Sequence, residues 1–131
     1  MCQADGRQQQ AIDFFLALTS APIPYIAIEN PVGIMSSVYR KPDQIIQPWQ
    51  FGHDTTKRTC LWLKNLPKLI PTQIVIPKQI IYANGKIAPE WHNKTGGGCG
   101  DVRSVTYKGI AEAMATQWNI VTKYQPTLFQ E

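Results

Sequence analysis

The stretch YIAIEN, residues 25–30, decides the fold, because it runs from apolar residues into polar ones directly before a turn. Its composition indicates a short strand, and Pro31 and Gly33 mark the turn that follows. In α/β sheets, ligands bind just beyond the carboxyl ends of the strands. Glu29 and Asn30 therefore stand where binding residues are expected.

The segment before this strand, residues 7–18, has the periodicity of an amphipathic helix. Pro22 and Pro24 end the helix before the strand begins. A helix followed by a short loop and a strand is half of a βαβ unit, so the fold class is predicted as α/β. The residues expected to face the core are Ala11, Phe14, Phe15 and Leu18.

Prolines and glycines divide the middle of the chain into short elements. Residues 34–44 predict a helical turn and a loop. A second strand is expected at 44–51, interrupted by Pro48, and a third at 59–65. Asn84-Gly85 predicts a β-hairpin, since both positions tolerate positive φ.

The C-terminal third of the chain combines a glycine-rich segment with a second amphipathic pattern. Residues 92–101, HNKTGGGCGD, predict a flexible loop, because glycine has no side chain to pack. Residues 106–118 predict a helix, and residues 120–131 predict a loosely ordered tail. The expected core face of this helix is Tyr107, Ile110, Ala111, Met114 and Trp118.

Length and composition indicate one globular domain spanning residues 1–131. Hydrophobic residues make up 44% and charged residues 17%, which is typical of a folded chain. The net charge of +4 is compatible with a phosphate-bearing partner, although many basic proteins bind no nucleic acid. No apolar run approaches the roughly 18 residues of a membrane span, so we expect no membrane contact.

Cysteine and histidine usage argues against a metal site. The three cysteines, Cys2, Cys60 and Cys99, form no CxxC pair, and the two histidines are far apart. Reduced thiols and a polar N-terminus predict a cytoplasmic location, in a host cell if the gene is viral. Cys60 lies in an apolar strand and is expected to be inert, whereas Cys99 is more exposed but has no evident base. No cofactor and no catalytic residue are predicted.

Glu29 and Asn30 admit two interpretations. A carboxylate can hydrogen-bond the edge of a nucleic-acid base, and a neighbouring carboxamide can fix its orientation. Alternatively, Glu29 caps or ion-pairs with a neighbour, and Asn30 begins the turn before Pro31.

Two basic pairs lie in loops that flank the predicted strands. Arg40-Lys41 and Lys57-Arg58 can hold phosphates, and solvated loop charge is the alternative for each pair. Arg103, before the closing helix, completes the set of candidate nucleic-acid-binding residues.

Three stretches together resemble a family of phage and bacterial proteins that are similar to a reduced cytosine-5 DNA methyltransferase. The similarity covers most of the chain and is weakest at residues 73–101. The resemblance implies a partial Rossmann-like sheet with flanking helices and a β-hairpin, equivalent to the C-terminal half of a methyltransferase. The stretches are FFLALTSAPIPYIAIENPVG, RKPDQIIQPWQFGHDTTKRTCLWLKNLPKLIPT and RSVTYKGIAEAMATQW.

The resemblance also implies roles for individual residues. In the methyltransferases a Glu-Asn pair that ends a strand holds the flipped cytosine, and Glu29-Asn30 match it, with Pro31 where valine is common. Phe51-Gly52 and Lys57 loosely match the segment that leads into a DNA-contacting strand. Thr55 stands where this segment has glutamine, and Thr59 where it has its second arginine.

Two parts of a methyltransferase are missing from this resemblance. The 28 residues before Glu29 contain neither the glycine-rich S-adenosylmethionine loop nor the Pro-Cys nucleophile. Methyl transfer to cytosine needs both a thiolate and a methyl donor. The stretch between Lys57 and Arg103 is also shorter than a target-recognition domain. The chain is therefore expected not to catalyse methyl transfer by itself.

These observations lead to three hypotheses. The chain is a non-catalytic methyltransferase-like protein that binds DNA or a nucleotide, one subunit of a split cytosine-5 DNA methyltransferase, or a phage-encoded interaction module such as an inhibitor of a host defence system. Half of a sheet leaves an exposed edge, and exposed edges invite pairing. We therefore expect a homodimer or a protein partner that completes the sheet.

Overall fold

The computed structural model of the protein describes residues 6–89 and 106–124. The first range holds two α-helices, a 3-10 helix and five short strands, and the second range is mostly one long helix. The elements are α1 (Arg7–Thr19), β1 (Ile26–Pro31), α2 (Met35–Val38), β2 (Gln44–Ile46), a 3-10 helix (Pro48–Gln50), β3 (Thr59–Lys64), β4 (Gln79–Ile81), β5 (Ile87–Pro89) and α3 (Lys108–Tyr124).

The described strands form two small antiparallel sheets. The main sheet has the order β1-β3-β2, with β3 in the centre and both neighbours antiparallel to it. The second is the β4–β5 hairpin. Helices combined with these sheets confirm the α/β class. No parallel pair of strands occurs among the described elements.

Successive residues of β3 point to opposite faces of the main sheet. Helices cover both of these faces. Cys60 and Trp62 pack with α1 and α2, whereas Leu61 packs with α3. The core on the α1 side comprises Ile12, Phe15, Met35, Cys60 and Trp62. The core on the α3 side comprises Ile46, Phe51, Leu61, Leu69, Ile110 and Ala113.

The helix α1 matches its predicted span but buries a different face. Ile12 and Phe15 are buried, whereas Phe14 is 67% exposed and Leu18 is 39% exposed. The Phe15 ring makes an edge contact with the Trp62 indole at 5.1 Å, and this contact fixes the rotation of the helix. The predicted face was therefore wrong for Ala11, Phe14 and Leu18, all of which are exposed, and right for Phe15.

The helix α3 docks with most of its predicted face and adds three polar contacts. Ile110 is buried, and Tyr107, Met114 and Trp118 pack against the core, with Ala113 buried in place of the predicted Ala111. Three contacts tie the helix to the loops around the sheet. The Gly109 N–H donates to His53 Nε2 at 2.9 Å, the Gln117 carboxamide bonds both the N–H and the carbonyl of Ile70, and Trp118 Nε1 donates to the Pro67 carbonyl.

The hairpin forms at the predicted place with a different turn. Gly85 has φ 77°, but Asn84 does not take positive φ. Instead, the Asn84 side chain accepts a hydrogen bond from the Lys86 N–H, and the Gly85 N–H donates to the Tyr82 carbonyl. A single left-handed glycine after a tight turn is the pattern of the longer hairpin loops, not of the two-residue loop.

The C-terminal predictions fall partly within the described ranges. The helix α3 continues to Tyr124, past residue 120 where the tail was expected to begin. The loop at 92–101 and residues 125–131 lie outside the described residues. In the part of the chain that the structure describes, no helix is long and apolar enough to cross a membrane.

Candidate functional site

The structure places Glu29 and Asn30 at the carboxyl end of β1, as predicted. In the register with β3, Glu29 pairs with Leu61 and Asn30 pairs with Cys60. Because directly paired residues share a face of an antiparallel sheet, Asn30 lies on the α1 face and Glu29 on the opposite face. The two side chains therefore leave the strand in opposite directions from adjacent backbone positions.

Neither side chain at the end of β1 is engaged within the described residues. The structure shows no hydrogen bond or ion pair from the Glu29 carboxylate or the Asn30 carboxamide to any described residue, and Glu29 is exposed. By contrast, Asp43, Asp54 and Glu112 each pair with a cation. The capping and ion-pairing alternative for Glu29 thus finds no partner among the residues described.

A groove of about 330 Å³ lies beside this strand end, between α1, β1 and the start of α2. Its walls are mainly apolar, and its polar lining residues are Gln8, Glu29 and Asn30. The exposed α1 residues Phe14 and Leu18 line it, together with Ile34, which is 46% exposed. The sequence carried a signal for this groove, since α1 has more apolar residues than one buried stripe needs.

Lys57 and Arg58 lie at the same end of the sheet, because they lead into β3 where β1 ends. Pro31, the last residue of β1, pairs with Thr59, the first residue of β3. Both Glu29 and Arg58 act on the buried Cys60 thiol. Burial raises the pKa of Cys60, Arg58 lowers it and Glu29 raises it further. One cation and one anion therefore act on Cys60 in opposite directions, and the thiol itself stays protonated at neutral pH.

The two basic residues before β3 differ in their surroundings. The Lys57 ammonium lies 5.9 Å from the centre of the Tyr107 ring, within the range of a cation–π contact. The Lys57 backbone N–H donates to the Gln47 side chain at 2.8 Å. Arg58 is exposed, so its guanidinium is the better placed of the two for a ligand.

Arg40 and Lys41 are not part of this cluster. The Arg40 guanidinium binds both carboxylate oxygens of Asp43, at 3.0 and 2.9 Å, and this contact raises the pKa of Arg40 and lowers that of Asp43. The Arg40 carbonyl also accepts a bond from Trp62 Nε1, near the far end of β3. At about 3.3 Å per residue, about 13 Å of strand separates Trp62 from Arg58.

The remaining candidates add nothing to the cluster. Lys41 is exposed beside Arg40, and Arg103 lies outside the described residues, as do Cys2 and Cys99. His53 caps α3, whereas Asp54 pairs with Lys78 at 2.8 Å, so these neighbours serve separate contacts. Among the described residues, no group of histidine, cysteine and acidic side chains could hold a metal ion.

No protein-family model matches the chain, and comparisons with curated proteins and with solved structures gave no match.

Proposed function

We propose that this chain is a non-catalytic, methyltransferase-like protein that binds nucleic acid or a nucleotide at the carboxyl end of β1. One observation carries the proposal. Glu29 and Asn30, which make no hydrogen bond or ion pair with a described residue, line an open groove at the end of the sheet where Lys57 and Arg58 lead into β3. A carboxylate and a carboxamide bind base edges, and a guanidinium binds phosphate.

The position of each residue indicates a separate role in binding. Arg58 supplies a fork of donors for phosphate oxygens, and Lys57 adds positive charge held beside Tyr107. Asn30 faces the α1 side, where exposed Phe14 offers an aromatic surface on which a base can stack. Glu29, on the other face, can accept from an exocyclic amino group.

The finer fold assignment is part of the same proposal. We propose that the sheet is the remnant of a Rossmann-like methyltransferase sheet. Two features support this assignment: helices pack on both faces of the sheet, and the Glu29-Asn30 pair ends a strand, as the resemblance implies. The buried, protonated Cys60 cannot serve as the attacking thiolate.

The test is binding to fluorescent single-stranded and duplex DNA, followed by anisotropy at two salt concentrations. Wild-type affinity should fall steeply as salt rises. Arg58→Ala should weaken binding about five-fold and reduce the salt slope by about one, as loss of one phosphate contact does. Glu29→Gln, which removes the charge and keeps the shape, should change the preference among bases.

Lys64→Ala is the matched control, because Lys64 is exposed at the opposite end of the same strand. Its affinity should stay within about two-fold of wild type if the cluster is the site. Equal losses for Arg58→Ala and Lys64→Ala would mean diffuse attraction to a basic chain. Absence of binding at low salt would overturn the proposal.

A further inference from the structure

The outer edge of β1 has no strand beside it among the described residues. β1 pairs with β3 on one side only, and it is twice as long as β2, the strand at the other edge. An edge strand presents a row of unpaired backbone N–H and carbonyl groups, and such a row accepts another strand.

The groove lies along this same edge. The helix α1 buries Ile12 and Phe15 against the sheet and turns Phe14 and Leu18 toward the groove. A strand added at the β1 edge would run under these two side chains. The segment that fits must therefore be extended, with apolar residues at alternate positions.

We propose that the occupant is β1 of a second copy of this chain, added antiparallel to form a continuous six-stranded sheet. The residues of β1 on the α1 face are Ile26, Ile28 and Asn30, of which Ile26 and Ile28 supply apolar side chains at alternate positions. A symmetric dimer centred on Ile28 places Ala27 opposite Glu29 of the other copy. No two like charges oppose each other, because Glu29 is the one charged residue of the strand.

The same arrangement covers the exposed face of α1. Both copies of α1 would lie on one face of the joined sheet, with Phe14 and Leu18 of each directed toward the other. Pro31, which has no N–H, limits the pairing at its end. One symmetric contact thus occupies both the free edge and the groove, so a copy that is paired in this way cannot also hold a base against Phe14 and Asn30.

The oligomeric state tests this inference by light scattering during size exclusion, over a range of concentrations. Wild type should show twice the chain mass of 14.8 kDa at high concentration. Phe14→Glu should show the single mass, because it places two charges in the shared groove. Ile74→Glu, at a side chain of matching exposure (64% against 67%) away from the groove, should stay dimeric.

A second experiment tests the register independently of any loss of folding. Cys2 and Cys99 are first replaced by serine. The double variant that carries both Ala27→Cys and Glu29→Cys should then cross-link between copies on mild oxidation, because directly opposed strand residues are within disulfide reach. Ala27→Cys alone should not cross-link. A monomer at every concentration, a Phe14→Glu dimer or equal cross-linking of both variants would overturn the inference. Pairing of the edge with a different protein would do so as well.

Discussion

The two faces of the main sheet share β3 but are covered to different degrees. On one face α3 buries its apolar residues and is tied to the loops by His53, Gln117 and Trp118. On the other face α1 buries Ile12 and Phe15 but leaves Phe14 exposed over an open groove. On the α3 face the helix is held by both apolar and polar contacts, whereas on the other face α1 leaves an apolar stripe exposed.

This difference separates stability from binding. The α3 face holds Leu61, at the centre of the sheet, in place. The end of β1 is held in turn, because Glu29 pairs with Leu61. The open face carries Asn30, the groove and the free edge, which are the features that a ligand or a second copy can use. Substitutions at packed and at open positions should therefore have different consequences, and three pairs of variants compare such positions.

The largest effect should come from the neighbouring phenylalanines of α1. Phe15→Ala removes a ring that is 6% exposed and packs on Trp62, so we expect a loss of about 3–4 kcal/mol in the free energy of unfolding. Phe14→Ala removes an exposed ring and should change it by less than about 0.5 kcal/mol. Urea denaturation at a concentration where the chain is monomeric provides the comparison. Equal losses would mean that α1 is rotated from the position described.

The next effect concerns the close approach of α3 to the backbone just after the 3-10 helix. A Cβ at Gly109 would collide with the Phe51 carbonyl oxygen, which is backbone and cannot swing aside. Gly109→Ala should therefore cost about 2–3 kcal/mol, despite alanine's better helix propensity. Gly33→Ala is the control, because its Cβ would meet only the Pro31 carbonyl at 3.8 Å. Its unfolding midpoint should stay close to that of wild type.

The sequence predicted most elements because their signals are local. The span of α1 followed from apolar spacing, β3 from its β-branched and apolar run, and the hairpin from Asn84-Gly85. Strand order and direction could not be read in this way, since pairing joins residues far apart in sequence. The predicted core face of α1 was wrong because two apolar stripes overlap on this helix. The contact with Trp62 decides which of the two stripes is buried.

The local features of the candidate site were predictable from the sequence, and its long-range contacts were not. The position of Glu29-Asn30 at a strand end followed from the change from apolar to polar residues. Its closeness to Arg58 depends on the Pro31–Thr59 pairing, which required the structure. The ion pair between Arg40 and Asp43 had a local signal, because the two residues are three positions apart. That spacing alone could not show that Asp43 also accepts the Leu63 N–H at 2.7 Å.

The smallest effect should appear as a pH dependence at Asp43, which anchors the loop before β2. The hydrogen bonds from Arg40 lower the pKa of Asp43 below its ordinary 3.8, and the bond from the Leu63 N–H acts in the same direction. A lowered folded-state pKa adds stability that is present above pH 3.8 and is lost as the pH falls through the folded value. Asp43→Asn should thus cost about 1 kcal/mol at pH 7, since the pair is partly exposed.

This cost should shrink as the pH falls from 3.8 through the lowered folded-state pKa, because the unfolded chain takes up the proton first and the folded carboxyl takes it up at lower pH. Thermal unfolding of both proteins between pH 7 and pH 2.5 measures the difference. Asp13→Asn serves as the control, since Asp13 bonds within the described residues only to Gln9 on the same helix. A cost for Asp43→Asn that stayed constant with pH would show that shape, not charge, holds the loop against β3. The ion pair with Arg40 would then contribute little to the loop, and the contrast between the paired Arg40 and the exposed Arg58 would weaken.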